Sequence, residues 1–165
     1  MALGPVQILV LSFEGSRFRG EILPELRRLR ERGIVRLIDL LVVGKDENGN
    51  VHSLQESDLP PEDAQRFGAV AGALIGLGAA GERGAELGAA AGAAAMREGV
   101  AFDQEQVWDI AEAIPNGSTA AIALIEHRWA IPLRDAIVRA GGTALADTWV
   151  HPDDLVAAGA EAATA

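Results

Sequence analysis

The alternation of apolar and polar positions divides the chain into strand-like runs, helix-like periods and one stretch that is neither. Val6–Phe13 (VQILVLSF) is a run of aliphatic and β-branched residues suited to a strand buried on both faces. A polar turn over 14–20 leads into GEILPELRRLRERG, where Ile22, Leu23, Leu26 and Leu29 recur at helical spacing and the arginines take the opposite face. Pro24 falls near the start of this helix, where a missing N–H costs little, and Gly33 stands where a left-handed cap is needed. Ile34–Val43 predicts a second strand, with Arg36 and Asp39 pointing to a partly exposed surface. Asn48-Gly49 is a tight-turn signal, which lets Val51–Leu54 pair back as a short hairpin strand.

Ser57, Asp58, Pro60, Pro61, Glu62 and Asp63 read as a helix start, with capping side chains, prolines and early acids. Beyond the glycine-rich middle, Asp103 and Gln106 have the spacing of a capping box, with Phe102 placed to pack on Val107. Val107, Ile110, Ala111 and Ile114 form the inner face of that helix, and Pro115-Asn116-Gly117 ends it. Ser118–Glu126 predicts a third main strand, Ile131–Ala140 a helix closed by Gly141-Gly142, and Thr143–Val150 a fourth strand. His151–Asp154 restarts a brief helix.

The halves 6–43 and 118–150 therefore share a strand–helix–strand layout. Two such units side by side predict an α+β fold, a ferredoxin-like sandwich, carrying an inserted glycine-rich antiparallel helical hairpin. A flavodoxin-like parallel sheet is the alternative, but the chain supplies too few strand–helix alternations for it. The expected organisation is one domain over 1–165. It comprises a first β-α-β unit with its hairpin strand (6–56), the inserted hairpin (57–100), a helix and second β-α-β unit (101–155), and a flexible tail (156–165).

The middle stretch, FGAVAGALIGLGAAGERGAELGAAAGAAA over 67–95, holds eight of the chain's 19 glycines and admits three readings. Gly76-Leu77-Gly78-Ala79-Ala80-Gly81 spells the dinucleotide fingerprint, yet the AVAGALI before it is a poor strand, and the mechanism requires one. Phe67–Gly81 is uncharged but only 15 residues long, short of the roughly 20 a spanning helix needs. Glu82, Arg83 and Glu86 break the apolar run beyond it, each costing about 2.5–3.5 kcal/mol near a bilayer centre.

The third reading is packing. Gly68, Gly72 and Gly76 recur every four residues, as do Gly84, Gly88 and Gly92, and the pairs 76/84, 72/88 and 68/92 are symmetric about position 80. Two helices folded there would oppose smooth glycine stripes. Six interior helical glycines cost about 6 kcal/mol relative to alanine, so without a close-packed partner both arms are poor helices.

Composition narrows the function classes. A formal charge of −10 disfavours nucleic acid as a partner, because phosphate binding needs a concentrated basic surface. The arginines at 27, 28, 30 and 32 are interleaved with Glu21, Glu25 and Glu31, the pattern of a solvated helix face. Without cysteine there are neither disulfides nor thiolate metal sites. The opening MALGPVQILVLSF lacks a basic leader and a cleavage site, so a cytoplasmic location is expected.

His52, His127 and His151 match no local metal spacing and fall near strand ends. Glu126-His127-Arg128-Trp129 is the richest polar cluster beside an apolar strand, and could line a pocket or form an ordinary corner. Glu105, Asp109 and Glu112 suit the solvent face of a helix, and Trp108, Trp129 and Trp149 suit a core or an interface. No catalytic, cofactor-binding or metal-ligating residue is assigned, and no cofactor is expected.

The opening VQILVLSFEG, the segment LPELRRLRERGIVRLIDLLVVGKDENGNV and the central GxxxGxxxG repeats resemble an uncharacterised bacterial family. That family is catalogued as a domain of unknown function with a glycine-zipper middle, and is often labelled a membrane protein. The resemblance spans most of the chain and implies no activity, cofactor or catalytic residue. The leading expectation is a non-enzymatic, self-assembling structural protein. Gly68, Gly72, Gly76, Gly84, Gly88 and Gly92 would serve its helix packing and oligomerisation, and its partner would be a second copy. Membrane association through the same hairpin is the alternative, and a small-molecule-binding or catalytic ferredoxin-like domain with a pocket near His127 is a further one.

Overall fold

The computed structural model describes residues 3–15, 20–143 and 148–164. They fold into β1 (Val6–Glu14), α1 (Ile22–Glu31), β2 (Val35–Lys45), β3 (Val51–Glu56), α2 (Pro61–Ala95), α3 (Gln104–Ala113), β4 (Ser118–His127), α4 (Ala130–Arg139) and α5 (Pro152–Thr164). The class is α+β, built on a four-stranded antiparallel sheet in the order β1-β4-β2-β3. Residues 1–132 and 133–165 form two compact units, the boundary falling in the first turn of α4.

Local chemistry accounts for the element ends. Gly33, with φ +66, closes α1 as only glycine does without strain, and the N–H groups of Gly33 and Ile34 return to the carbonyls of Arg30 and Leu29. Asp103 and Gln106 form both bonds of a capping box at the start of α3. The Asp46–Asn50 turn is held by Asp46, whose carboxylate accepts from the backbone of Asn48 and Asn50 and from the Asn50 amide. These bonds keep its pKa below the ordinary carboxylate range, the Asn50 side chain contributing most.

The sheet is covered on both faces of its two central strands. Val35, Leu37 and Leu40 of β2 pack with Ala121, Ala123 and Ile125 of β4 against Leu26 and Leu29 of α1. On the other face Ile38, Leu59, Ala64, Phe67 and Met96 form one cluster, and Leu41, Val43, Val107 and Ala111 a second. The register slips between Leu37 and Asp39, a bulge that turns both Ile38 and Asp39 toward the face covered by α2 and α3.

Several expectations need correction. A ferredoxin-like sandwich has its first and third strands at the centre, whereas β2 and β4 occupy the centre here. Of the unit expected over 118–150, the first strand and the helix are present as β4 and α4. Residues 143 and 148–150 are not strand, and 144–147 lie outside the described residues. Both β-α-β units are instead split and interleaved: β1-α1-β2 straddles β4, and β3 runs through α2 and α3 to β4 across β2. A hairpin strand pairs equally well on either side of its predecessor, and the Asn48-Gly49 turn does not select the side.

The expected flexible tail over 156–165 is largely helix, since α5 runs to Thr164. Asp39 is fully buried rather than partly exposed. Ser57 and Asp58 do not cap α2, whose N-cap is Pro60 without a side-chain bond. Ser57 Oγ donates to the carbonyl of Ile38 (2.6 Å), and Asp58 accepts the N–H of Leu37 (2.8 Å), so the pair satisfies the bulge instead.

In the C-terminal unit, α4 ends where the N–H groups of Gly141 and Gly142 return to the carbonyls of Val138 and Ile137. Trp149, Val150, Leu155 and Val156 are exposed there.

Candidate functional site

Six of the predicted glycines meet inside α2. Its backbone leaves helical geometry at Ala80 (φ −149°, ψ 26°) and Gly81 (φ 64°, ψ −151°), dividing the span into two arms. A Cβ placed on Gly72 would overlap the Gly88 carbonyl, 2.8 Å from its carbon and 3.2 Å from Cα of Gly92. One on Gly88 would lie 2.8 Å from the Gly72 carbonyl carbon. Gly68 and Gly92 overlap reciprocally in the same way, as do Gly76 and Gly84. Carbon atoms attract best at about 3.5–4.0 Å, so none of the six positions has room for a methyl group. Gly78, by contrast, has nothing within 4 Å.

The glycines face inward between the arms, and the large side chains do not. Leu74, Ile75, Leu77 and Leu87 are all exposed, whereas Ala64, Phe67 and Gly68, near the base of the first arm, are buried. Gly76-Leu77-Gly78-Ala79-Ala80-Gly81 thus runs through helix into the break, without the preceding strand that a dinucleotide loop uses.

Three polar clusters lie in the sheet. The Asp39 carboxylate sits behind the bulge, with Oδ2 accepting the N–H of Ala101 (2.6 Å), the N–H of Phe102 (2.9 Å) and the Gln55 amide (3.0 Å). Oδ1 is buried with no hydrogen-bond partner among the described residues. The carboxylate therefore fastens the segment between the second arm and α3 to the centre of the sheet. Sequence reasoning missed this role, and the available signal was a lone carboxylate in an otherwise apolar run.

Glu126, also fully buried, accepts the N–H of Gly4 (2.8 Å) and Arg36 Nε (2.6 Å). Arg30, on α1, forms a bidentate pair with Asp58 and a further bond to Glu56 (2.5 Å). The Asp58 bond is the main reason its pKa is raised. Arg30, Arg36, Glu56 and Asp58 line a polar cleft of about 480 Å³ together with Arg27, Glu31 and Arg128. Its charges are largely matched, which makes it a tether between α1 and the sheet rather than an anion site.

His127 is half-buried at the end of β4, with Nε2 3.0 Å from the Gln7 amide oxygen and Trp129 edge-on at 6.4 Å. Burial lowers its pKa below the ordinary histidine value. The polar cleft reaches Arg128, its neighbour in the chain. A groove of about 880 Å³ opens on the α1 face, among Leu9, Leu11, Phe13, Leu23, Val42 and Leu54. Trp108 and Trp129 are exposed rather than core, and His52 and His151 lie on the surface far along the chain from His127.

Among the described residues no group of three or more metal-capable side chains converges, and no helix is long and apolar enough to cross a membrane. The structure defines an α+β protein whose most distinctive feature is backbone contact between glycines. The chain matches no protein-family model, no curated protein and no solved structure, so functional inference rests on its own residues.

Proposed function

We propose that the chain is a non-enzymatic, self-associating structural protein whose α2 arms form a glycine-zipper hairpin that docks on a second copy. The supporting observation is a division of labour along α2. Gly68, Gly72 and Gly76 oppose Gly92, Gly88 and Gly84, while Leu74, Ile75, Leu77 and Leu87 stand exposed. Glycine contact uses up the inner faces and leaves the large apolar groups for a partner. The interleaved β-α-β units support reading the sheet as a ferredoxin-like sandwich with reordered strands, which serves as the base of the arm. The compartment expected from the sequence is the cytoplasm.

Light scattering without detergent tests the reading. The wild-type chain should form oligomers, and Leu74→Lys with Ile75→Lys should shrink them while helix content is retained. A wild-type chain that is monomeric at every concentration refutes it. The same exposed side chains favour a second reading, insertion of the hairpin tip into a lipid surface. Flotation of the chain with phosphatidylcholine–phosphatidylglycerol vesicles, lost in the double variant, would select that reading instead.

A further inference from the structure

We propose that the free edge of β1 is a two-fold interface on which β1 of a second copy pairs antiparallel, joining two four-stranded sheets into one. This interface is independent of the hairpin reading. Among the described residues β1 has only β4 as a neighbour, and its nine residues pair with β4 without a break from Val6↔Glu126 to Glu14↔Ser118. The bonds flanking this ladder, His127 N–H to Pro5 and Gly15 N–H to Gly117, fix its phase. Odd-numbered residues turn their backbone groups toward β4. Val6, Ile8, Val10, Ser12 and Glu14 therefore turn their N–H and C=O groups outward along the open edge.

Open edges carry devices that stop them pairing: charge, proline, bulges or shortness. The opposite edge, β3, is only six residues long and carries His52, Ser53, Gln55 and Glu56. β1 has no proline, glycine or bulge, and its sole charge is the terminal Glu14. Its outward register is also self-complementary. Pairing centred on Val10 sets Val10 against Val10, Ile8 against Ser12 and Val6 against Glu14, so every outward backbone group meets a partner and no like charges face each other. Parallel in-register pairing would set Glu14 on Glu14, which selects the antiparallel form.

Apolar side chains flank the edge on both sheet faces. Val6 is 39% exposed, Ile8 65%, Val10 70% and Leu11 41%, and Ile22 (51%) and Leu23 (43%) line the groove beside Leu11 and Phe13. A second copy paired on this edge would draw part of that apolar surface out of water.

The test combines particle mass with hydrogen exchange on the full chain. Val10→Lys places a solvent-facing charge that meets its own copy at the two-fold, so it should abolish the β1 dimer. An equimolar mixture of Val10→Lys and Val10→Glu should restore it as a mixed dimer. Ser12→Pro removes one outward N–H, leaves the β4 ladder intact, and should also dissociate the pair. In the wild-type chain the amides of Ile8, Val10 and Ser12 should be protected and should lose protection at least tenfold in Val10→Lys. Those of Leu9 and Leu11, bonded to β4, should stay protected in both, which shows that the variant is folded. Leu74→Lys with Ile75→Lys should leave this dimer in place, separating failure here from failure of the hairpin reading. Rapid exchange at Ile8 and Val10 in the wild-type chain, or an unchanged mass in Val10→Lys, overturns the proposal.

Discussion

The same substitution, glycine to alanine, should have opposite signs at two positions six residues apart in α2. Alanine is favoured over glycine in a helix by about 1 kcal/mol. At Gly78 nothing lies within 4 Å of the new methyl group, so Gly78→Ala should gain up to about 1 kcal/mol. At Gly72 the methyl would lie 2.8 Å from the Gly88 carbonyl carbon and overlap its oxygen, so the arms must part by at least about 1 Å to relieve the overlap. A gap of that size forfeits a quarter to a half of each neighbouring contact, and overpacking of this kind costs about 1–3 kcal/mol. The helix gain is outweighed, and Gly72→Ala should be destabilising by about 1–3 kcal/mol.

Most of α2 beyond Gly68 is exposed or half-buried, so opening can be local, and a global melt alone would under-report it. Urea titration followed by helical circular dichroism should therefore be paired with hydrogen exchange over residues 68–92. Gly72→Ala should speed exchange there, and Gly78→Ala should slow it or leave it unchanged. If Gly72→Ala stabilises the arms as Gly78→Ala does, the glycines do not hold them together and the packing argument is wrong.

Asp39→Ala removes the acceptor for the Ala101 and Phe102 N–H groups and should cost about 2–4 kcal/mol in urea unfolding, whereas Asp39→Asn, keeping one acceptor oxygen, should cost less. A loss below about 0.5 kcal/mol would show that the segment before α3 is held by packing alone. For His127, burial favours the neutral ring in the folded chain, so the unfolded chain binds the proton first as pH falls. Stability should fall as pH drops below about 6.5 and level off once the folded-state ring is protonated. The difference in Tm between wild type and His127→Gln, followed from pH 7.5 to 5, should show this slope, and parallel curves would exclude His127 as its source.

Elements set by local chemistry were legible in the sequence. Gly33, the Asp103–Gln106 box and Asn48-Gly49 each satisfy backbone groups within a few residues, so their spacing alone predicts where an element starts or turns. The four-residue glycine spacing mirrored about position 80 pointed to an interruption there, and the backbone leaves helical geometry at Ala80 and Gly81. Strand order was not legible, because the choice of edge depends on contacts far apart in sequence. Thr143–Val150 has the composition of a strand, yet neither sheet edge takes a second neighbour among the described residues. Asp39 was misread because a carboxylate in a strand usually marks an exposed face. Here the bulge at Leu37 turns it inward, and its bond partners lie about sixty residues along the chain. The larger groove on the α1 face was not legible, because it arises where α1 covers only part of that face and leaves Leu11, Phe13 and Leu54 uncovered.

Two surfaces thus carry apolar side chains that folding does not require. Alanine at Leu74, Ile75, Leu77 or Leu87 would serve helix α2 as well or better, and a charged residue at Ile8 or Val10 would protect an edge that now lies open. The proposed contacts at these surfaces differ in kind. Pairing at β1 is directional and uses itself up, because each edge accepts one strand and the two-fold closes on itself. Contact through the arms rests on exposed side chains and sets its own axis. A protomer with two different two-fold interfaces closes into an assembly of dihedral symmetry when the axes intersect at 180°/n, a tetramer at right angles, and otherwise propagates as a filament. Mass that reaches a plateau with rising concentration indicates the first geometry, and mass that keeps growing indicates the second. In either case Val10→Lys should leave pairs joined only through their arms, and the lysine pair at 74 and 75 should leave pairs joined only through β1.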